Sequence, residues 1–341
     1  MTARKPLTAK RLVGVCLGLL ALLAICVVLG ASVGSGDASL LRLLPGARAL
    51  DEVGRTILFE VRLPRVLLAA LLGGTLTVAG VVFQALLRNP LADPYVLGVS
   101  GGASIGGVVA LLLGLGGGVL GGAAVPVMAF GGALAALFLI ERIATVGGRL
   151  TVYTVLLTGA IFNAFSAAVI YLIQSLASLE ELHAIVFYLM GRVPSYSMGN
   201  LGWLTAVILF AVVLVYSMAR SYNGLSLGEE GAQQIGVDVE RTKRYSFILG
   251  SLLTGLAVAI AGMIGFVGLV VPHILRILLG PDHRLLLPAA FFGGASFLVL
   301  ADVVARTIVS PNELPVGVVT ALIGGPFFLY LLRRSGGRHG F

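Results

Sequence analysis

The side chains able to do chemistry are few in this chain, and their spacing does not assemble a catalyst. Four histidines, at 183, 273, 283 and 339, stand far apart near the ends of apolar runs, with no metal-ligand spacing between them. They read as surface or interfacial histidines. Cys16 and Cys26 share one apolar run and read as buried thiols, not as a disulfide or metal pair. No phosphate-cradling G-x-x-x-x-G-K-[ST] loop, zinc-protease pattern or nucleophile elbow occurs. The reading is therefore no catalytic residue, no metal and no cofactor. Asp302 and Arg306 are one helical turn apart and read as a local ion pair. The apolar runs otherwise hold almost no carboxylate, which counts against a proton- or sodium-coupled carrier.

The most chemically distinct stretch is the polar island 221–244, SYNGLSLGEEGAQQIGVDVERTKR. Ser226 and Glu229 have capping-box spacing, which predicts a short helix start. Leu227, Ala232 and Ile235 would share one face, and Gly236 would stop the helix. Asp238 would cap a second short turn ending in Arg241, Lys243 and Arg244. A compact, capped knob between apolar runs reads either as a docking element for a protein partner or as a solvated loop with ordinary caps.

The rest of the chain is made for lipid. Of its 341 residues 58% are hydrophobic and 11% charged, at a mean hydropathy of +1.05, whereas soluble domains carry about 25% charge. A span needs about 20 apolar residues. That predicts an all-α, multi-pass protein with about ten spans: 12–33, 64–83, 95–115, 119–140, 152–176, 200–219, 245–265, a short one at 267–278, 285–305 and 315–332. The first run is basic at its start and has no small-residue cleavage site, so it reads as a retained span.

With the N-terminus in the cytoplasm, sixteen of the 23 basic residues fall on the cytoplasmic side and seven, among them Arg62, Arg65 and Arg306, outside. This bias orients both termini inward and puts 221–244 in the cytoplasm. It also explains the net charge of +8 without a nucleic-acid partner. Two prolines break helix in 84–98, and 177–198 holds a short surface helix. Glycines 98, 102 and 106 line one face for close helix packing. Gln84, Asn163 and Gln174 inside spans either glue helices or line a path.

Several runs together resemble one family. VRLPRVLLAALLGG at 61–74, VFQALLRNPLADPYVLGVSGGASIGG at 82–107, GEEGAQQIGV at 228–237, GFVGLVVPHILR at 265–276, GPDHRLLLPAA at 280–290, and ADVVAR followed by ELPVGVVTALIGGPFFLYLLRR occur in that order. They resemble the FecCD-type permeases of ATP-binding-cassette importers for iron–siderophores, haem and vitamin B12.

The resemblance implies one permease domain over 1–341 in the cytoplasmic (inner) membrane, working as a homodimer with substrate crossing at its interface by alternating access. It implies a separate ATPase on the cytoplasmic side, an extracytoplasmic substrate-binding protein outside, and a metal chelate as cargo, with ferric siderophore ahead of haem and cobalamin. The family's coupling helices correspond to 221–244, so Glu229, Glu230, Ala232, Gln233, Ile235, Gly236 and Val237 are the ATPase contacts. Arg62, Arg65 and Arg306 match positions that meet acidic residues of the binding protein. The vitamin B12 member narrows its cytoplasmic gate with small hydroxyl residues; Val152 and Tyr153 stand there instead, and with Asn163 they are the candidate gate and pathway residues. The alternative class is a secondary transporter or channel driven by an ion gradient.

Overall fold

The computed structural model describes residues 7–34, 40, 51–115 and 123–336. Arg4, Lys5, Arg42, Arg48, Arg338 and His339 lie outside the described residues. The first helix is α1 (Ala9–Ser32). Then α2 (Glu52–Thr56) continues through a π-helical stretch, Ile57–Arg62, into α3 (Leu63–Leu86). The chain goes on as α4 (Val99–Leu112) and α5 (Ala124–Ala144). A hairpin of β1 (Thr145–Val146) and β2 (Arg149–Leu150) leads to α6 (Val152–Leu176). Next come α7 (Leu179–Leu189), α8 (Met198–Ser217), α9 (Ala219–Leu225) and α10 (Glu229–Gln234). The last four are α11 (Val239–Ala261), α12 (Val267–Leu279), α13 (His283–Thr307) and α14 (Val316–Gly336).

Among the described residues, seven helices are long and apolar enough to cross a membrane, and α4, α12 and part of α14 are shorter apolar helices. Each of the ten expected spans has its helix. The protein is an all-α, multi-pass membrane protein. Several differ in extent: the third is the shorter α4, Val99–Leu112, because Gly98 at a φ of +88 interrupts the helix before it, while α5 runs on to Ala144 and α11 starts already at Val239. The second is not 64–83 but one unbroken rod from Glu52 to Leu86, because the polar turn Glu52–Arg62 continues the helix. The seventh ends at Ala261, not 265, because Gly262 takes a φ of +69.

Apolar residues all round a helix predict burial on every side, and α3 obeys: 21 of its 24 residues are buried, whereas α1 buries only Cys26, Gly30 and Ala31. It packs against α1, α11, α12 and α13. Close approach comes from glycine. A Cβ at Gly80 would collide with the Gly268 carbonyl of α12, and one at Gly73 with the Gly294 carbonyl of α13. Gly102 and Gly106 meet α5 in the same way, at Gly132 and Met128, as expected of that face; Gly98 instead has a φ of +88 and starts α4.

Non-helical backbone at membrane depth must be satisfied by protein. Between α11 and α12, Tyr95 does this: its hydroxyl donates to the Ile264 carbonyl (3.1 Å) and accepts from the Ile264 N–H (3.0 Å). Asn163 of α6 in turn donates to the Tyr95 carbonyl at 2.9 Å. Gln84 donates to Leu269 O and accepts from Arg276 (3.0 Å). Of the polar residues inside spans, Gln84 and Asn163 thus join elements together.

Candidate functional site

The polar island is a helical knob standing on the first turns of α11. Its construction differs from the sequence expectation. Ser226 does not cap α10: it closes α9, with its hydroxyl donating to the Tyr222 carbonyl (3.1 Å), and the N-cap position belongs to Gly228 at a φ of +91. The Ser-x-x-Glu box fails because Ser226 is still in αR conformation. A true capping box forms at Ser178 and Glu181, at the start of α7. Leu227, Ala232 and Ile235 do not share a face either. Ala232 is fully buried, while Leu227 and Ile235 are 66% and 60% exposed. Asp238 caps no separate turn but α11 itself, accepting from Arg241 N–H at 3.0 Å.

Of the seven predicted contact residues, Glu230, Gln233, Ile235 and Gly236 are exposed, Glu229 and Val237 half-buried, and Ala232 buried. The knob therefore exposes two separate apolar side chains, Leu227 and Ile235, around a buried Ala232 anchor. An open cleft of 550 Å³ beside it is lined by Arg88, Leu227, Glu229, Glu230 and Gln234; another of 420 Å³ by Arg220, Ile235, Gly236, Val237 and Tyr245. Arg88 has a φ of +48. It closes α3 in a Schellman arrangement, with Arg88 N–H on Ala85 O and Asn89 N–H on Gln84 O, where glycine is usual. An arginine kept at that position puts a cation beside Glu229 and Glu230.

The knob is tied down by ions. Lys243, 5% exposed, lies 3.3 Å from Glu229 and 2.7 Å from Glu240. Glu240 also accepts the Leu150 N–H at 3.0 Å, and Arg244 pairs with Glu141 at 2.7 Å. On the other side, Asn223 of α9 donates to Asp282 and accepts the His283 N–H, both at 2.8 Å. Arg284, through its side chain and its N–H, and the Asn223 amide hold the Asp282 carboxyl well below the usual carboxylate range. His283, expected near the surface, is fully buried, because its ring packs on Tyr222 and its Nδ1 meets Asn223. Asp282 reaches Asn223, 59 residues earlier, which only the fold brings to it.

At the opposite end of the bundle the three arginines cluster. Asp302, with no exposed surface, takes Arg306 on Oδ2 (2.9 Å) and Arg65 on Oδ1 (3.0 Å). The expected Asp302–Arg306 pair is present, enlarged by Arg65. Arg306 also donates to the Gly30 and Val33 carbonyls (3.0 and 3.3 Å), capping α1, whose own last turn has no basic residue. Arg65 reaches a second carboxylate, the half-exposed Glu313, at 2.8 Å. Arg62 and Arg306 are 5% and 8% exposed. Inside the chain, then, Arg65 and Arg306 bind helix ends together.

Val152 and Tyr153 open α6, directly after the hairpin. Tyr153 is 73% exposed and begins a stripe with Leu157, Ile161 and Phe165. Among the described residues, no group of three or more His, Cys, Asp or Glu could hold a metal ion.

Comparison with known proteins agrees with this architecture. The family model described as the FecCD transport family matches residues 22–334. The chain is 47% identical over 293 residues to the ABC transporter permease protein YvrB of Bacillus subtilis, covering 84% of this chain and 82% of that one. It is 43% identical to the cobalamin import system permease protein BtuC of Halobacterium salinarum, covering 83% and 75%. It is 39% identical to the hemin transport system permease protein HmuU of Yersinia pestis, covering 94% and 95%. A solved structure described as an inward-facing conformation of a transporter of the metal-chelate ABC type superposes with a TM-score of 0.83 at 32% identity, covering 94% of this chain and 99% of that one. An all-α membrane body with a tethered helical knob, matched by the family model over residues 22–334, places the chain in the FecCD transport family.

Proposed function

We propose that this chain is the membrane permease subunit of an ATP-driven importer for a metal chelate. The observation that carries the reading is the knob: exposed Leu227 and Ile235 on the buried Ala232 anchor, in a chain without a nucleotide loop of its own. Energy then enters through a separate ATPase seated over Glu229, Glu230, Gln233, Ile235 and Gly236. ATP binding moves the knob, the spans rock, and cargo crosses between two copies of the chain. The exposed stripe of α6, with Tyr153 and Val152 at its cytoplasmic end, supports that dimer face and gate. Both termini lie in the cytoplasm, the whole chain acts as one permease domain, and the location is the inner membrane.

At the other end, a substrate-binding protein docks over Arg62, Arg65 and Arg306. Their internal pairing narrows how. Arg65 meets the partner by exchanging the half-exposed Glu313 for an incoming carboxylate, while Arg306 keeps Asp302. Such charges set orientation and association rate more than affinity.

The cargo is a metal held in a large organic ligand. Ferric siderophore is the first candidate; haem and cobalamin, the cargoes named for the Yersinia and Halobacterium relatives, are the others. The test is co-purification of a neighbouring ATPase with the chain and with Ile235→Asp. Capture by the first and not by the second is expected. Equal capture by both would remove the knob as the docking element.

A further inference from the structure

We propose that Glu240 and Lys243 are positioning residues that make α10, the first turns of α11 and the α5–α6 hairpin move as one body, so that displacement of the knob arrives at Val152 and Tyr153. The proposal rests on the reading of α10 as the ATPase-coupling element, and it adds the route by which that element reaches the gate.

The route is continuous. Glu229, the first residue of α10, meets Lys243 at 3.3 Å; Lys243 meets Glu240 at 2.7 Å; Glu240 accepts the Leu150 N–H at 3.0 Å; Val152 follows two residues later. Lys243 is 7% exposed along its side chain, while its partners Glu229 and Glu240 are 39% and 37% exposed, so the shared cation is buried and the two carboxylates are half-exposed. The neighbouring Arg241–Asp238 pair is 79% and 57% exposed, with neither partner buried, and such surface pairs contribute little. A second strap, Arg244 to Glu141, holds the end of α5 to the same turns of α11. Below the ions, Ala232, Leu150, Val155 and Val239 pack in one apolar cluster. The hairpin tip is unencumbered: Gly147 and Gly148 have φ of +60 and +79, and an added Cβ at either meets nothing within 4 Å. A turn free at its tip and gripped at its base follows whatever moves the base. Chains of packed side chains and ion pairs between elements with discrete positions can carry energetic coupling of this kind.

The experiment uses the assembled transporter in proteoliposomes, with its ATPase and binding protein, in a background where Cys16 and Cys26 are replaced by Ala. Spin labels are placed at Gln234 of α10 or at Tyr153, and the distance between the two copies is read with and without ATP and vanadate. The ATP hydrolysed per chelate imported is measured alongside. In the parent both distances shift. In E240A and K243M the Gln234 distance still shifts and the Tyr153 shift is lost. The ATP-to-chelate ratio rises at least about fivefold, the low end of coupling between sites. K243R restores the Tyr153 shift, which a brace serving only stability would not show. If either variant does not assemble, E240Q, which keeps an acceptor for Leu150 N–H and loses the charge, takes its place with a partial loss expected. An unchanged Tyr153 shift and ratio in the variants would overturn the relay alone. A Gln234 distance that does not shift in the parent would remove the coupling role of α10, and the relay with it.

Discussion

Arg306 donates to Asp302 one turn back on α13 while its other nitrogens bond the Gly30 and Val33 carbonyls, so one side chain closes the end of α1 and neutralises a carboxylate with no exposed surface. Breaking a buried pair from one side costs about 3–5 kcal/mol because the abandoned charge stays buried. Asp302→Ala leaves Arg65 and Arg306 without their shared carboxylate and is expected to cost that much. Thermal unfolding in detergent measures it. A variant as stable as the parent would mean that water already reaches this end.

Helix approach at α3 sets a second expectation. Gly80→Ala drives a methyl group into the backbone of α12 at Gly268. Overpacking costs about 1–3 kcal/mol, and the unfolding midpoint should fall accordingly. Gly131→Ala, where an added Cβ meets nothing within 4 Å, should leave it unchanged.

These two sites also show what the sequence could tell. Spans were legible because roughly 20 apolar residues in a row have few other uses. Asp302 and Arg306 are one turn apart, so their pair was legible too. Arg65 is 237 residues from Asp302, and only the fold brings it there. At the knob, Ser226 and Glu229 had the right spacing for a cap, but Ser226 was still needed by α9. Gly228, free to take a φ of +91, accepted the turn. Lys243 read as one basic residue among three; its burial between Glu229 and Glu240 is a tertiary fact.

Acid should loosen the link between α9 and α13. The folded Asp282 carboxyl titrates below its ordinary value of 3.8, first because Arg284 bonds it. A depressed carboxylate contributes stability above the unfolded value and loses it as pH falls toward the folded one. The unfolding temperature of the parent should therefore drop faster below pH 3.8 than that of Asp282→Asn. Parallel curves would assign the acid sensitivity elsewhere.

The docking knob makes a binding prediction. Interface anchors commonly cost 2 kcal/mol or more when removed. Ile235→Asp is expected to weaken ATPase capture by about thirtyfold without lowering the unfolding temperature, since Ile235 is 60% exposed. Titration of the ATPase onto the detergent-solubilised chain checks both parts.

Arg65→Glu should slow association of the binding protein, with a smaller effect at high salt, because long-range steering of an incoming carboxylate is screened beyond about 10 Å at 0.1 M. Stopped-flow association at two salt concentrations reads this directly.

The central claim is that this chain is a pathway whose energy comes from a partner. The most direct measurement is uptake of labelled ferric siderophore, haem or cobalamin into proteoliposomes, with the cognate binding protein outside and ATP inside, with and without the ATPase subunit. The account predicts uptake of one chelate that needs both ATP and the ATPase. Uptake driven by an ion gradient in the absence of the ATPase would contradict it.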